Sequence, residues 1–396
     1  MALQSGQTVV GWNMMRARSR VLNAFYEHYH ADPALLIRAP GRVNLIGEHT
    51  DYNQGLVFPA AIDKAIWLAA RPRADRLVIC HSLDLDSVQE FSLDSFEKGE
   101  QGWGRYLQGV AWSLHEEGRR LRGWEGVLAS DIPIGAGLSS SAALEIAATR
   151  AFAALSNFHW QPLAMAQIAH KAETEWVGLR CGLMDPLACA AGVEGHALFL
   201  DCRSLDYSAE PLPDEIDLVV FVSHQRRSLT DTSYNQRLAE CEEAARILGV
   251  ESLRDASIER LRKFETRLGS TLERRARHVV MENQRVQAAL ALMRAGDAER
   301  LGELMQDCHE SLRLDFEVST PAQDQIVSVV REMKGCFGAR MMGAGFGGSV
   351  LALVSKGAAQ AIIQDTLRAV GGQSGSTPHA FPCRAVAGVS IETFRS

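Results

Sequence analysis

The stretch SDIPIGAGLSSSAALE (130–145) constrains the fold more than any other part of the chain. Gly135 and Gly137 free the backbone, and Ser139, Ser140 and Ser141 then open a helix over 139–155, with Leu144, Ala147, Ala151 and Leu155 predicted on one face. Backbone N–H groups of such a loop, with the positive end of the helix behind them, form an anion site. The segment is not the G-x-x-x-x-G-K-S/T loop, because no Lys follows. A single Ser would cap the helix, so three in a row favour phosphate and metal binding over a plain Ser-capped turn.

The chain has 396 residues, 46% of them apolar and 22% charged, which suits two or three packed domains and excludes a disordered chain. Its net charge of −7 disfavours nucleic acid or an anionic membrane as the main partner. No apolar stretch approaches the ~20 residues of a membrane span, and MALQSGQTVV lacks a basic-then-apolar leader. Eight scattered cysteines without a C-x-x-C fit a reducing compartment, so the expectation is a cytoplasmic globular protein.

Residues 1–36 carry a helical pattern around Val21, Leu22, Phe25 and Tyr29 that ends near Asp32-Pro33. AIWLAA (65–70), LVIC (77–80), HALFLDC (196–202), DLVVFVS (217–223) and SVLALV (349–354) read as strands. EPLPDEI (210–216) reads as a connector, SYNQRLAECEEAARILG (233–249) as a helix closed by Gly249, and 233–333 as helix-rich. The tail after 355 has no clear pattern. The prediction is an α+β chain of at least two lobes, with a boundary near residue 205.

Three further segments hold polar residues in apolar surroundings. In RAPGRVNLIGEHTDYNQG (38–55), two carboxylates and an imidazole fall within four residues after an apolar run. That cluster suits the vicinal hydroxyls of a sugar; His and Asp also bind divalent ions, and the cluster alone does not decide. In AETEWVGLRCGLMDPLACAAG (172–192), Asp185 is a costly carboxylate in apolar, Gly-flanked context, so it is either a chemical group or the N-cap of a helix with Pro186 at its first position. RMMGAGFGGSVLALV (340–354) contains G-x-G-x-x-G by letters, but its glycines lead into a strand. A loop approached by a ligand or another loop's backbone is the better reading.

In this order the segments resemble the GHMP sugar kinases and, among these, the galactokinases, from about Arg38 to Val354. GRVNLIGEHTDYN (41–53) is similar to their sugar signature, PIGAGLSSSAALE (133–145) to their ATP loop. CGLMD (181–185), LDCRSL (200–205), SYNQRLAEC (233–241) and MGAGFGG (342–348) also match. The resemblance implies a two-lobed GHMP kinase fold with the active site in the cleft, the N-terminal lobe spanning 1–205 and the C-terminal lobe 206–396. It implies ATP-dependent phosphorylation of the anomeric hydroxyl of galactose, the entry step of galactose breakdown, with Mg²⁺.

By position it assigns Asp185 and Arg42 to catalysis, and Glu48, His49, Thr50, Asp51, Gly182 and Tyr234 to the sugar. Gly135, Ala136, Gly137, Leu138, Ser139, Ser140 and Ser141 fall to the ATP phosphates, Trp103 with Tyr106 to the adenine side, and Ser141 and Glu173 to the metal. Pro186, Leu238, Met342, Ala344 and Ser349 depart from the family pattern and bear on sugar choice. The alternatives are a related kinase for N-acetylgalactosamine or a uronic acid, with Arg226 and Arg227 as candidate cations, and a silent galactose/ATP sensor. The expected partners are a small sugar and ATP, with no nucleic acid or membrane, in a monomer or weak homo-oligomer.

Overall fold

A computed structural model describes residues 9–98, 102–133, 135–223, 231–371 and 378–394. The Arg226–Arg227 pair lies outside these residues. In chain order the first half runs α1 (Val9–Tyr29), β1 (Leu35–Asn44), β2 (Leu56–Val57), β3 (Pro59–Pro72), β4 (Leu77–Ser82), β5 (Ser87–Ser92), α2 (Gly104–Glu116), β6 (Trp124–Ser130), α3 (Ser140–Leu155), α4 (Pro162–Lys171), α5 (Met184–Ala191), β7 (His196–Asp201) and β8 (Tyr207–Pro211). The second runs β9 (Ile216–Val222), α6 (Asp231–Leu248), α7 (Ile258–Ala295), α8 (Ala298–Leu314), α9 (Pro321–Arg331), β10 (Cys336–Met342), β11 (Ser349–Ser355), α10 (Ala359–Val370), β12 (His379–Cys383) and β13 (Ser390–Thr393).

A six-stranded sheet in the order β13-β1-β3-β6-β4-β5 forms the first lobe. Helix α1 covers one face through Val21 and Phe25 against Trp67 and Val127. On the other face α3 lies against β1 and β3 while α2, α4 and α5 surround it. The predicted single face of α3 is therefore corrected: Ala142 through Thr149 and Ala151 through Ala153 are buried on all sides, and Leu155 is only half-buried. The small alanine side chains let helices and sheet approach α3 together. The second lobe packs α9 and α10 on the four-stranded sheet β10-β11-β9-β12, with α7 and α8 joining the lobes.

Two local readings also change. EPLPDEI begins inside β8, which pairs with β7, and the patternless tail holds α10, β12 and β13. β13 pairs with β1 from Leu35 to Arg38, so residues after 205 supply an edge of the first sheet, and the division at 205 is crossed by the chain's own topology. β13 stops there, which leaves the edge of β1 open beyond Arg38. Pro40 has no N–H, and the register of β1 on β3 shifts between Pro40 and Arg42. The loop before α3 uses the vacant edge: Arg42 N–H donates to the Leu138 carbonyl at 3.1 Å. A Cβ on Gly41 would sit 2.6 Å from that same oxygen, so only Gly permits the approach.

α8 and β10 meet through glycines in the same way. A Cβ on Gly302 would lie 2.1 Å from the Phe337 carbonyl oxygen, and one on Gly338 would lie 2.2 Å from that of Gly302. Among the described residues no helix is long and apolar enough to cross a membrane. Gly302→Ala should cost about 1–3 kcal/mol, the usual range for overpacking. Urea unfolding would show it as a lowered midpoint; an unchanged midpoint would remove this contact from the account.

Candidate active site

The bulge at Gly41 turns Arg42 inward, to 4% exposure. Its guanidinium forms a two-pronged bond to Asp185, Nε to Oδ1 at 2.7 Å and Nη2 to Oδ2 at 2.9 Å, while Nη1 donates to the Gly137 carbonyl at 2.7 Å. Burial alone would lower the affinity of Arg42 for its proton, but Asp185 and then Glu48 hold it above the ordinary value. The Ser139 hydroxyl donates to Oδ2 of Asp185. Asp185 lies in the first turn of α5, whose N-cap is Leu183, so the N-cap reading is corrected: the carboxylate is engaged by Arg42 and Ser139 instead. Pro186 sits in the same turn, where a missing N–H costs no helical bond.

Ser139 has φ 61° and makes no cap bond. The loop ahead of it rests against the other Gly-rich segment, where a Cβ on Gly343 would lie 3.4 Å from the Gly137 carbonyl and one on Gly348 3.5 Å from that of Ala136. Ser349 donates to Ala136 O at 2.7 Å, and the Asn44 amide points to Met342 Sδ at 3.3 Å. The glycines of 343–348 thus serve backbone-to-backbone contact, as the sequence suggested. Ala136 and Leu138 bury their side chains and offer only backbone, while Gly135 and Ser140 are exposed.

The segment after β1 makes a tight turn with Gly47 at φ 103° and His49 at φ 63°. Thr50 is 0% exposed, and its hydroxyl lies 2.9 Å from Gly47 O and 2.7 Å from Leu56 O. In this structure Thr50, expected at the sugar, ties the turn that carries Glu48, His49 and Asp51. Asp51 faces Gly182, where a Cβ would stand 2.2 Å from Asp51 Oδ2. Burial, then the nearby Asp185, pushes Asp51 up to about 7. His49 bonds Tyr52 OH through Nδ1 at 2.8 Å, and its ring lies 4.6 Å from that of Phe316 and 5.9 Å from that of Tyr234 on α6. Arg42, Asp51, Ser139, Gly182 and Asp185 therefore converge, with His49, Tyr52 and Tyr234 forming an aromatic wall.

Sequence reasoning missed what braces this turn. Glu48, 1% exposed, accepts from Asn44 Nδ2, from Arg340 Nη2 at 3.1 Å and from the Gly343 amide at 2.7 Å. Glu282 accepts the Gly47 amide at 2.7 Å, and Asn283 takes the Leu56 amide at 2.8 Å. His278 Nε2 donates to the Glu48 carbonyl at 3.1 Å. Burial pushes His278 down to about 4, so it is neutral at pH 7. Glu282 is held at about 2, because Arg285, His278 and Arg340 outweigh the opposing effect of burial. His278, Glu282 and Arg285 recur along one side of α7, and that spacing was the available signal.

For a metal, the relevant pair is Ser141 and Glu173. Glu173 lies in a π-helical turn (Ala172–Val177), is buried, and accepts from Cys181 Sγ at 3.1 Å and from the Ser141 hydroxyl. Burial pushes its carboxyl upward, against those two bonds. Two adjacent hard oxygen donors fit Mg²⁺, which keeps most of its other positions for phosphate and water. Among the described residues no group of three or more His, Cys, Asp or Glu side chains could hold a metal alone. Trp103 stands apart from this centre: its indole N–H donates to Ser87 on edge strand β5 at 2.9 Å.

Comparison with known proteins fits this geometry. A galactokinase galactose-binding signature matches residues 23–72, a GHMP kinase N-terminal domain 105–193, and a GHMP kinase C-terminal domain 289–372. A galactokinase of Roseiflexus sp. is 44% identical, covering 92% of this chain and 95% of its own; one of Bos taurus is 41% identical, covering 91% and 93%. The crystal structure of Lactococcus lactis galactokinase complexed with galactose superposes with a TM-score of 0.90 at 34% identity, covering 94% and 99%. Methanococcus jannaschii mevalonate kinase, at 20% identity and a TM-score of 0.64 over 89% and 98%, shares the fold.

The raised Asp51 carboxyl has a signed consequence. Between its ordinary 3.8 and about 7, the folded chain keeps a proton that the unfolded chain releases, so this group's stabilisation fades as pH rises through that window. The stability difference between wild type and Asp51→Asn should shift against wild type from pH 4 to pH 7. Carbon-13 NMR of the carboxyl should titrate near 7; a flat difference and ordinary titration would refute the assignment. Gly182→Ala, by displacing Asp51, should move that titration toward the ordinary range.

Proposed function

The chain belongs to the galactokinase family, and from that premise we propose that it transfers the γ-phosphoryl group of ATP to the anomeric hydroxyl of galactose, giving galactose 1-phosphate and ADP. The observation that carries the reading is the buried Arg42–Asp185 pair at the meeting point of the sugar turn and the Gly-Ser loop. Phosphoryl transfer asks little covalent chemistry of a protein; it needs an acceptor oxygen aligned with the phosphorus and positive charge where negative charge gathers.

Asp185 already accepts three hydrogen bonds, two from Arg42 and one from Ser139. A carboxylate has about four lone-pair sites, so one remains for the anomeric O–H. In this reading Asp185 orients the hydroxyl and receives its proton as the bond to phosphorus forms. Arg42 keeps the carboxylate in place and stabilises charge on the transferring group. Asp51, Glu48, His49 and Tyr234 hold the sugar, and the backbone of Gly135–Leu138 with Ser140 cradles the phosphates. Ser141 and Glu173 would hold Mg²⁺, which neutralises phosphate charge when bound. Trp103 and Tyr106 are offered for the adenine side. We place the protein in the cytoplasm, as a monomer or weak homo-oligomer; its eight free thiols suit that compartment.

A kinase for another sugar is the second reading, favoured by the buried departures Met342 and Leu238 near the turn and α6. ADP release with Mg·ATP over galactose, glucose, N-acetylgalactosamine, galacturonate and arabinose separates the two. Galactose should give the highest kcat/KM; a different winner would move the specificity and leave the family standing. Asp185→Asn should lower kcat by roughly 10²–10⁴-fold, the range for loss of a positioned proton acceptor, while galactose still binds. Near-normal turnover in that variant would take Asp185 out of the mechanism.

A further inference from the structure

Arg340 is 0% exposed and lies on β10, across the lobe boundary from the sugar turn. A guanidinium carries five N–H groups, and here all five are directed to acceptors. Nε donates to Leu45 O at 2.7 Å, Nη2 to Asn44 O and to Glu48 Oε1 at 3.1 Å, and Nη1 to Met341 O at 3.2 Å and to Cys308 Sγ at 3.6 Å. Three of the five fall on the sugar turn. Glu48 Oε1 also takes the Gly343 amide, and Oε2 takes Asn44 Nδ2, so the rotation of the carboxylate is fixed. We propose that Arg340 is a positioning residue for galactose, which aims the one remaining lone pair of Glu48 and fixes the Asn44–Leu45 backbone so that the His49–Asp51 turn meets the sugar. The proposal rests on the galactose-kinase reading above.

A charge buried only to join two lobes would affect stability and leave ligand affinity intact. A positioning residue affects the affinity for one substrate. Lysine at 340 keeps the charge but has three donors on one nitrogen, and it cannot span the carbonyl pair and the carboxylate as the planar fork does.

The experiment uses the full chain, with galactose titrated by calorimetry and steady-state kinetics run with Mg·ATP. In Arg340→Lys, galactose Kd and KM should rise about tenfold or more, the scale of a lost charge-assisted bond, with KM for ATP within about twofold. Lower thermal stability with unchanged galactose affinity would overturn the proposal, as would an equal loss for both substrates. Should that variant not fold, Arg340→Gln combined with Glu48→Gln removes both charges together and leaves none unpaired. It should bind galactose several-fold more weakly than Glu48→Gln alone, because the Asn44 and Leu45 carbonyls lose their clamp; equal affinity would overturn the proposal. A wild-type chain that binds no galactose would overturn the functional reading and this one with it, whereas normal wild-type binding isolates the test to Arg340.

Discussion

A buried guanidinium must find an acceptor for each N–H, and the acceptors Arg340 finds determine how the two halves of this protein meet. The turn from Asn44 to His49 has positive-φ residues at Gly47 and His49, and beyond its bonds to Phe58 and Thr50 it leaves backbone groups, among them the Gly47 amide and the Leu45 and Glu48 carbonyls, to side chains from elsewhere. Side chains from α7 and β10 satisfy them, through Glu282, His278 and Arg340. One hydrophobic cluster runs through both lobes, from Leu45 and Ala147 to Val279, Leu312 and Met341. The cleft is therefore a seam within a continuous core, and its walls are held at fixed separation by buried charge as well as by apolar contact.

The legible parts were those whose information is local. The loop-to-helix transition at Ser139, the strands containing 65–70 and 349–354 and the helix ended by Gly249 each carry their period or stop signal within a dozen residues. The ordered motifs added the family and most of the residues that converge on Arg42 and Asp185. What stayed hidden depends on partners far away in the chain. β10 reads as Gly-, Arg- and Met-containing sequence without alternation, and it is a strand because β11 pairs with it and α8 covers it. The charges of α7 have the look of a solvated face apart from the one-sided spacing of His278, Glu282 and Arg285, and the tertiary structure places Glu282 and His278 inside. Asp185 has cap-like spacing beside Pro186, yet Arg42 lies 143 residues earlier in the chain.

The two Gly-rich loops explain each other. The second carries the letters of a nucleotide fingerprint without its strand-then-helix frame; the two are backbones in contact, with Gly343 and Gly348 at φ 84° and 94°, values that favour glycine. Ser349, where the family often has Cys, supplies a hydrogen bond to Ala136 across that contact. The departures Ser349 and Met342 thus sit at the contacts of the loop before α3 and of the turn after β1, while Arg42, Asp185 and Ser139 bond one another directly.

The pairing of β13 with β1 has a meaning for synthesis. A ribosome delivers the sugar turn and the phosphate loop within the first 150 residues, but the strand that edges their sheet arrives with residues 390–393, and the clamp on the turn with residues 278–340. Until then the early half exposes an unpaired strand edge and an unbraced loop. A fragment of this sequence that lacks those later residues would present an open sheet edge and an unbraced turn, the kind of surface with which other chains pair.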